Sequence, residues 1–452
     1  MLQSLVSLFT FSPLAVFAAL QADLNSPDSI KTAASQVAED LLTYYHGRDP
    51  GRTLGILDGP PPNGDYYWWE AGALWGCMID YWYWTGDDTY NDIVSQALLA
   101  QVGPHDDFQN DNWTASLGND DQGFWGMAAL TAAETNFPNP PADQPQWLAL
   151  AQAVWNEQTD EDQRGQECGG GLRWQKSTFN NGWDYKNTIS NGIFFNMGAR
   201  LARYTKNDTY AQWAEDTWDW LVNDVKYVDT VYNVYDGGHI EDNCTTVNRQ
   251  QFSYNAAVLI LGAAHMYNYT NGSQAWEDRV NGLFQGIENV FFPNGTAYEV
   301  ACEAGICKTD MLSFKGFTHR WLAISTQLAP FLTERVMNLL QSSTQAAVNQ
   351  CTGGSNGRQC GFHWTTGVFD GQLGAGQQMN VVGALSSLLI ADAAAPLTNE
   401  TGGTSVGDPD AGTDSSPSKA RPISTGDRAG ASILTALFLG SSMAGMAWMV
   451  WK

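Results

Sequence analysis

Apolar positions recur along most of the chain at the three- and four-residue spacing of amphipathic helices. Ile193, Met197 and Leu201, for example, fall on one helical face. Alternating apolar and polar positions, which would indicate strands, are scarce. The stretches between the helical patterns are rich in Gly, Asn, Asp and Pro, which favour turns and loops. The pattern therefore predicts an all-α protein.

A loose repeat organises these helical patterns. Its three clearest copies span residues 69–90, 189–210 and 252–273, and weaker copies begin near Asp121, Leu312 and Gln377. Each copy contains one helix, a turn made of Gly, Asn or Asp, and the start of a second helix, so each is read as a helix hairpin. With another helix near 29–45, the sequence predicts about twelve helices in six hairpins.

Six helix hairpins can close into an (α/α)6 toroid, in which the N-terminal ends of the inner helices meet at a central cleft. A two-domain helical solenoid is the alternative, but no linker interrupts residues 27–395. The predicted fold is therefore one all-α (α/α)6 toroid over residues 27–395.

The N-terminal segment has a different composition. Residues 2–20 are almost wholly apolar, and small residues lie near Ala18 and Ala22. This pattern is typical of a secretory signal peptide, although no Lys or Arg precedes the apolar run. We expect residues 1–22 to be removed from the mature protein.

The C-terminal segment resembles an anchoring signal. Residues 401–430 are rich in Gly, Ser, Thr, Asp and Pro and contain too few apolar residues to fold. A short apolar tail then runs from Ala431 to Trp451. A polar spacer, small residues and such a tail indicate a glycosylphosphatidylinositol (GPI) anchor.

We therefore expect a disordered stalk over residues 396–426, GPI attachment at Gly426 and a removed propeptide over 427–452. A single membrane-spanning helix is the alternative, because the tail is about long enough to cross a bilayer. The small residues 440–442 inside the tail and the lack of a basic segment after it favour the anchor.

Seven asparagines lie in Asn-x-Ser/Thr sequons: Asn112, Asn207, Asn243, Asn268, Asn271, Asn294 and Asn399. In a secreted chain such sites accept N-linked glycans and therefore face solvent. The predicted location is the outer face of the plasma membrane and the cell wall.

Seven cysteines suit an oxidising compartment. Two pairs are close enough in sequence for local disulfides: Cys302 with Cys307, and Cys351 with Cys360. Cys77 lies in an apolar helical run and is interpreted as a buried free thiol. Cys168 and Cys244 remain as a long-range pair, although sequence alone does not fix the connectivity.

The net charge of −26, from 48 acidic and 22 basic residues, narrows the choice of partner. Such a chain repels nucleic acid and acidic polysaccharides, so a neutral or cationic partner is expected. Charged residues make up only 15% of the chain and aromatic residues 12%. This balance fits an uncharged polar substrate that is bound through aromatic faces.

The candidate chemistry lies at Asp120 and Asp121, which open an apolar, helix-patterned segment. Cleaving a glycosidic bond needs two carboxyl groups, and a retaining pair needs them about 5 Å apart. Adjacent side chains diverge by about 100° within a regular helix, but a non-helical start allows them to meet. The alternative is that Asn119 or Asp120 caps the helix and Asp121 complements its dipole.

The segment Leu117–Trp125 resembles the paired-aspartate signature of glycoside hydrolase family 76, the endo-α-1,6-mannanases, as do Thr85–Tyr90 and Asn181–Asn187. The resemblance spans about residues 27–395, and the two terminal signals match the fungal cell-wall branch of that family. It implies an (α/α)6 barrel and a retaining mechanism on α-mannosides. By position it implies that Asp120 is the nucleophile and Asp121 the acid/base; the residues alone do not order these roles.

Weaker candidates for substrate binding surround the pair. Four tryptophans are candidates for stacking on sugar rings, with core packing as the equal alternative: Trp68, Trp69, Trp125 and Trp183. Four polar residues before or at helix starts are candidates for binding hydroxyl groups, with capping as the alternative: Asp65, Asp184, Asn187 and Asn191. The six scattered histidines show no ligand spacing, so no metal or other cofactor is expected.

The favoured function is a retaining endo-α-1,6-mannosidase or transglycosidase in fungal cell-wall biogenesis. Its donor would be α-mannan or the GPI-glycan core, and its acceptor water, wall glucan or mannan. The alternatives are a non-catalytic carbohydrate-binding wall protein and a polysaccharide lyase. The first has no use for the aspartate pair, and the second needs basic residues that the charge balance disfavours. We expect a monomer.

Overall fold

The computed structural model describes residues 19–110, 112–113, 116–413 and 435. Thirteen α-helices dominate this part of the chain: α1 (Pro27–Leu42), α2 (Trp68–Thr85), α3 (Asn91–Ala100), α4 (Asn119–Glu134), α5 (Trp147–Glu157), α6 (Glu161–Arg164), α7 (Thr188–Thr205), α8 (Asp208–Asp219), α9 (Ser253–Tyr269), α10 (Gln274–Phe291), α11 (Phe314–Leu328), α12 (Thr333–Val348) and α13 (Ala375–Ser387). Two three-residue strands, β1 (Tyr185–Asn187) and β2 (Gly237–His239), pair in antiparallel register. The all-α prediction is confirmed.

The helices form two concentric rings. In the inner ring α2, α4, α7, α9, α11 and α13 each pack against the next, and α13 closes the ring against α2. The outer helices α3, α5, α8, α10 and α12 pack around them as the second member of a hairpin, and α1 packs against α13. The short α6 is an extra turn between α5 and α7. The predicted (α/α)6 toroid of six hairpins is confirmed.

The sequence distinguishes the two rings by how apolar residues are spread around each helix. Almost every residue of the inner helix α4 is buried, because other helices surround it on all sides. The outer helix α8 instead buries one stripe, with Tyr210, Ala214 and Trp218 four residues apart. A one-sided stripe is what a helix between core and solvent requires.

All six inner helices begin at the same end of the toroid, called here the cleft face. The connections at this face are long, such as residues 158–187 and 220–252, whereas α7 and α8 at the opposite face are separated by residues 206–207 alone. The unpaired N–H groups of six helix starts and the longest loops therefore lie together, where a polar ligand is most easily bound.

Buried ion pairs tie the inner ring together below the cleft. The Arg320 guanidinium on α11 lies 2.7 Å from the Asp80 carboxylate on α2, a helix that is not its neighbour in the ring. Arg200 on α7 pairs with Glu134 on α4, also at 2.7 Å. Because all four side chains are buried, each charge depends on its partner.

The three predicted disulfides are confirmed, joining Cys168 to Cys244, Cys302 to Cys307 and Cys351 to Cys360. Cys77 is free and buried, as predicted. The seven sequon asparagines are all exposed, which N-glycosylation requires. Their modification stays a prediction.

The expected end of the signal peptide at Ala22 differs from the structure. Leu20 is buried in the core, and its N–H donates to the carbonyl of Cys351 at 3.0 Å. The folded body therefore begins two residues earlier than the composition suggested.

The expectation of a disordered stalk is wrong for residues 396–413, which we call the C-terminal strap. The strap is hydrogen-bonded to the helical body along its length, and four of these bonds are Leu397 N–H to Glu134 O, Leu148 N–H to Ser405 Oγ, Asp408 N–H to Gln152 Oε1, and Asn156 Nδ2 to Pro409 O. Although its composition is polar, its backbone groups find partners on α4 and α5. Such pairing replaces the water that a disordered chain would bind.

The predicted stalk beyond residue 413, Gly426 and the 427–452 propeptide lie outside the described residues, apart from residue 435. Within the part of the chain that is described, no helix is long and apolar enough to cross a membrane.

Replacing Asp80 with Ala should strongly destabilise the toroid, because Arg320 would remain buried without its counter-charge. Removing one partner of a buried ion pair costs about 3–5 kcal/mol in the free energy of unfolding. The control is Glu288→Ala, which breaks a 3.2 Å surface pair with Arg335 and should cost less than about 1 kcal/mol. Urea unfolding followed by tryptophan fluorescence measures both, and equal costs would contradict the structural role of the pair.

Candidate active site

A cavity of about 810 Å³ opens at the centre of the cleft face. Its volume is in the range of ligand-binding sites. Ten aromatic residues line it: Tyr67, Trp68, Trp69, Trp113, Phe124, Trp174, Tyr185, Phe252, Tyr254 and Phe314. Four carboxyl groups also line it, those of Asp120, Asp121, Asp236 and Asp310, against one basic residue, Lys308. The cavity thus combines flat apolar surfaces with strong negative charge.

The two predicted catalytic aspartates lie side by side in this cavity because of how α4 begins. The N-cap residue Gly118 is extended, and the segment 117–119 pairs with residues 174–176 in short antiparallel fashion. Asn119 N–H donates to the Trp174 carbonyl at 2.8 Å. A Cβ at position 118 would lie 2.4 Å from Asp120 Oδ1, so a side chain there would displace the Asp120 carboxylate.

Asp120 is only 8% exposed, and both of its carboxylate oxygens are held. Oδ1 accepts from the backbone N–H of Asp121 at 3.0 Å, and Oδ2 accepts from Asn187 Nδ2 at 3.3 Å. Asn187 is itself fixed as the N-cap of α7, where its Oδ1 accepts from the Ser190 N–H. Two neighbouring inner helices therefore orient one carboxylate.

Asp121 is partly exposed to the cavity. Its Oδ2 accepts from the Gly118 N–H at 2.8 Å, which caps the first turn of α4. Among the hydrogen bonds of the described residues, its Oδ1 has no partner. A carboxylate therefore does cap this helix, but it belongs to Asp121 and not to Asp120. The Asn119 side chain donates to the Arg173 carbonyl and does not cap the helix.

Burial raises the pKa values of the carboxyl groups in this cluster. Burial, and then the negative charge of Asp121, raise the pKa of Asp120 well above its usual range. Burial raises the pKa of Asp121 to about 6; the Gly118 N–H opposes this and the charge of Asp310 adds to it. Burial also raises the pKa of Asp310 to about 6. Because the two adjacent carboxyls titrate as a unit, we expect them to share one proton near neutral pH.

Two further carboxyl groups in the cavity were missed by sequence reasoning. Asp236 accepts from the Tyr185 hydroxyl at 2.7 Å and from Asn248 Nδ2 at 3.1 Å. No local sequence pattern identifies Asp236, because it reaches the cleft through the pairing of β1 with β2, which are distant in sequence. Asp310 precedes the inner helix α11, so the rule that inner helices begin at the cleft would have found it.

Of the predicted binding residues, Trp68, Trp69 and Asn187 line the cavity. Trp69 packs against Phe124, with ring centroids 4.4 Å apart. Trp68 is mostly buried, and its Nε1 donates to Gln101 at 2.9 Å, so only part of its ring is available to a ligand.

The other five predicted binding residues do not line the cavity, and those predictions are corrected as follows. Trp125 is a core residue stacked between Trp68 and Phe108, and Trp183 covers the Arg173 guanidinium at 4.0 Å. Asn191 is buried, and its side-chain amide is hydrogen-bonded to the backbone N–H and carbonyl of Leu172. Asp184 pairs with His239 at 3.1 Å. Asp65 is exposed in the segment before α2. Each has a packing or surface partner that sequence spacing does not reveal.

Within the described residues, no group of three or more His, Cys, Asp or Glu side chains is arranged to hold a metal ion.

Comparisons with known proteins agree with this geometry. The model of glycosyl hydrolase family 76 matches residues 29–400. The mannan endo-1,6-α-mannosidase DCW1 of Saccharomyces cerevisiae is 44% identical over 439 residues, covering 96% of this chain and 95% of the relative.

Solved structures share the fold. The crystal structure of Dfg5 from Chaetomium thermophilum in complex with glucosamine superposes with a TM-score of 0.84 at 53% identity, over 86% of this chain and 97% of that chain. An inactive variant of a Salegentibacter α-1,6-mannanase in complex with α-1,6-mannotriose has a TM-score of 0.62 at 19% identity, over 80% and 99%. The resemblance found in the sequence is confirmed: the chain belongs to glycosyl hydrolase family 76 and is a glycoside hydrolase.

Proposed function

We propose that the protein cleaves α-1,6-linked mannosides with retention of configuration, with Asp120 as nucleophile and Asp121 as acid/base. The observation that carries the proposal is the pair of adjacent carboxyl groups in an aromatic cleft. The mannosidase DCW1 is 44% identical to this chain. In the inactive bacterial α-1,6-mannanase variant two consecutive aspartates are replaced by asparagine. The same residue types stand side by side in this chain.

The reaction needs two steps. In the first, an Asp120 oxygen attacks the anomeric carbon while Asp121 gives its proton to the glycosidic oxygen, so that the C–O bond breaks and a glycosyl ester forms. In the second, Asp121 removes the proton of an incoming hydroxyl group, whose oxygen displaces Asp120 from the anomeric carbon. Asp120 regains its charge and Asp121 its proton.

The hydrogen bonds fit these roles. Both oxygens of Asp120 are oriented by donors, as an attacking carboxylate requires, whereas Asp121 keeps Oδ1 free to carry the transferred proton. Burial raises the pKa of both carboxyl groups, and the negative charge of Asp121 raises that of Asp120 further. The first step requires that Asp121 carries a proton and that Asp120 is ionised.

We further propose that the second step delivers the sugar to a wall glucan or mannan hydroxyl when acceptor is abundant. The ratio of transfer to hydrolysis depends more on how well an acceptor is positioned than on any change in the first step. The donor class is an α-mannosyl glycan, either mannan or the GPI-glycan core. The Dfg5 relative was crystallised with glucosamine, whose ammonium group would suit an acidic lining such as that of this cavity.

The proposed location is the outer face of the plasma membrane and the cell wall, through a GPI anchor near Gly426. The strap starts beside Glu134 at the opposite face and rises along α5 to Asn156, in the half of the toroid that contains the cleft. The described strap ends at residue 413, which is 13 residues before Gly426. Such an anchor would hold the cleft near membrane-attached glycans.

Asp120→Asn and Asp121→Asn should each lower kcat on α-1,6-manno-oligosaccharides by at least ~10²–10⁴-fold, because each removes one carboxyl group of the pair. An aryl α-1,6-mannobioside with a dinitrophenolate leaving group separates the roles, since that group departs without a proton. Burst kinetics should show the first step restored in Asp121→Asn and not in Asp120→Asn. The matched control is Asp184→Asn, outside the cleft, which should keep near-normal activity; rescue of Asp120→Asn instead would reverse the assignment.

Asp310→Asn should move the alkaline limb of the kcat/KM profile to lower pH. Asp310 raises the pKa of Asp121 through its negative charge, so without it Asp121 loses its proton at lower pH. Since Asp121 must be protonated for the first step, activity should fall earlier as the pH rises. A shift to higher pH, or an unchanged limb, would contradict this coupling.

The mature protein should be released from membranes by phosphatidylinositol-specific phospholipase C. Mass spectrometry of the released form should find its C-terminal peptide ending near Gly426. A mature form that still contains Trp448 or Trp451 would instead indicate a spanning helix.

A further inference from the structure

A second cavity, called here the lateral cavity, opens at the cleft face on the outer side of the helical ring. Its volume is about 490 Å³, and it lies between the loop 158–187 and the end of the outer helix α8. The loop lines it with Glu161, Arg164 and residues 169–171, and α8 and the turn after it line it with Asp216, Asp219, Asn223 and Asp224. No step of the proposed reaction uses this cavity.

Arg164 brings a largely buried positive charge to the lateral cavity. Its Nε donates to the Gln158 carbonyl at 3.1 Å, and its guanidinium lies over the rings of Phe194 and Trp213, at 4.3 and 4.7 Å from their centroids. It forms no ion pair with the described residues, and its buried Nη2 has no hydrogen-bond partner among them. Burial without a counter-charge lowers the pKa of Arg164 to about 10. A buried charge of this kind lowers stability unless a partner reaches it, so the side chain points to a ligand.

Carboxylates in the same cavity also lack partners. The side chains of Glu161 and Asp224 make no hydrogen bond or ion pair within the described part of the chain, and Asp219 lies 3.8 Å from Arg279. None of them is close enough to Arg164 to pair with it. One cavity therefore contains a cation and several carboxylates that are held apart from each other.

The backbone of the loop is accessible beside these charges. Gly169, Gly170 and Gly171 have φ values of +73°, +105° and +79°. A Cβ added at Gly170 would meet no atom within 4 Å, so the chain there borders open space. A loop without side chains lets a ligand approach its backbone closely.

An uncharged polyol fits this lining better than an ion does. Arg164 would repel a cation, and an anion would be repelled by the four carboxylates, those of Glu161, Asp216, Asp219 and Asp224. A sugar hydroxyl can donate to a carboxylate and can also accept from a guanidinium. Neighbouring hydroxyl groups on one sugar chain could therefore satisfy both kinds of group, which cannot reach each other.

The lateral cavity lies close to the cleft along two short paths. Gly171 lines the lateral cavity and Trp174 lines the cleft, so the Cα atoms of these two residues are at most about 11 Å apart. Asn191 and Asn187 line the same two cavities, and one turn of α7, about 6 Å of helix axis, separates them. A glycan that extends a few sugar units beyond the cleft can reach the lateral cavity.

We propose that the lateral cavity binds a second stretch of the α-mannan chain whose scissile bond lies in the cleft. This inference rests on the proposed function and adds to it a preference for long chains over short oligosaccharides. No covalent step occurs in the lateral cavity. Once the cleft is occupied, the second contact is intramolecular, so it raises the apparent affinity for a long chain without changing the chemistry.

The test measures the KM of α-1,6-mannan, expressed per chain, and the KM of α-1,6-mannotetraose. Asp224→Ala removes an unpaired carboxylate and should raise the ratio of the mannan KM to the mannotetraose KM by at least about 10-fold, the effect of losing a hydrogen bond to a charged group. Asn223→Trp should raise this ratio as well, because Asn223 is exposed and a larger side chain there would fill the cavity. Thermal unfolding verifies that both variants keep the fold.

The matched control is Asp278→Ala. Asp278 is an exposed carboxylate on the outer helix α10 and lines neither the cleft nor the lateral cavity. Its replacement should leave the KM ratio at the wild-type value.

The outcomes separate this inference from the proposed function. If the wild type cleaves neither substrate, the proposed function fails and the inference with it. If the wild type cleaves both and neither Asp224→Ala nor Asn223→Trp changes the KM ratio, the lateral site alone is overturned. If Asn223→Trp weakens the binding of a chitosan oligosaccharide or a phosphorylated mannan more than that of neutral mannan, the assignment to an uncharged glycan is overturned.

Discussion

The functional site depends on one constraint, that two carboxyl groups must be held side by side in a largely buried cleft. A continuous helix would separate them, and free side chains would repel each other. The structure meets the constraint at the extended start of α4, where Gly118 lets the backbone approach Asp120 and residues 174–176 hold the turn. Asn187 then links the pair to α7. The closed ring of inner helices makes this possible, because it brings neighbouring helix starts to one place.

The rest of the cleft places further acidic side chains in the same cavity as the pair. Asp236 and Asp310 add two carboxyl groups to the pair, and burial raises the pKa of both, as it does for Asp120. Carboxyl groups with raised pKa values are suited to general acid catalysis. Its aromatic walls limit access by water, so the fate of the glycosyl ester depends on which hydroxyl group the rim holds in place.

The fold was predictable because the helical period, the hairpin repeat and the missing linker all indicate one helical ring. The aspartate pair was predictable for a related reason, since an inner helix starts at the cleft. The same argument could not separate Asn187 from Asn191, which lie one turn apart: only the fold shows that the first points to Asp120 and the second to the backbone of Leu172. The prediction for Trp125 was wrong for a similar reason, because apolar spacing does not distinguish a residue in the cleft wall from one in the layer behind it.

Composition misled the prediction at the C-terminal strap. Residues 396–413 carry few apolar side chains, and their order arises from hydrogen bonds to α4 and α5 that no local pattern encodes. Asp236 illustrates the same limit, because its place in the cleft depends on pairing between β1 and β2.

The central claim, that Asp120 forms the covalent bond to the sugar, is tested most directly by trapping that bond. A 2-deoxy-2-fluoro mannosyl donor with a good leaving group slows the second step more than the first, so the glycosyl ester accumulates. Peptide mapping by mass spectrometry should find the label on Asp120, and proton NMR should show that natural substrates first release the α-anomer. A label on Asp121, or a first product of inverted configuration, would contradict the account.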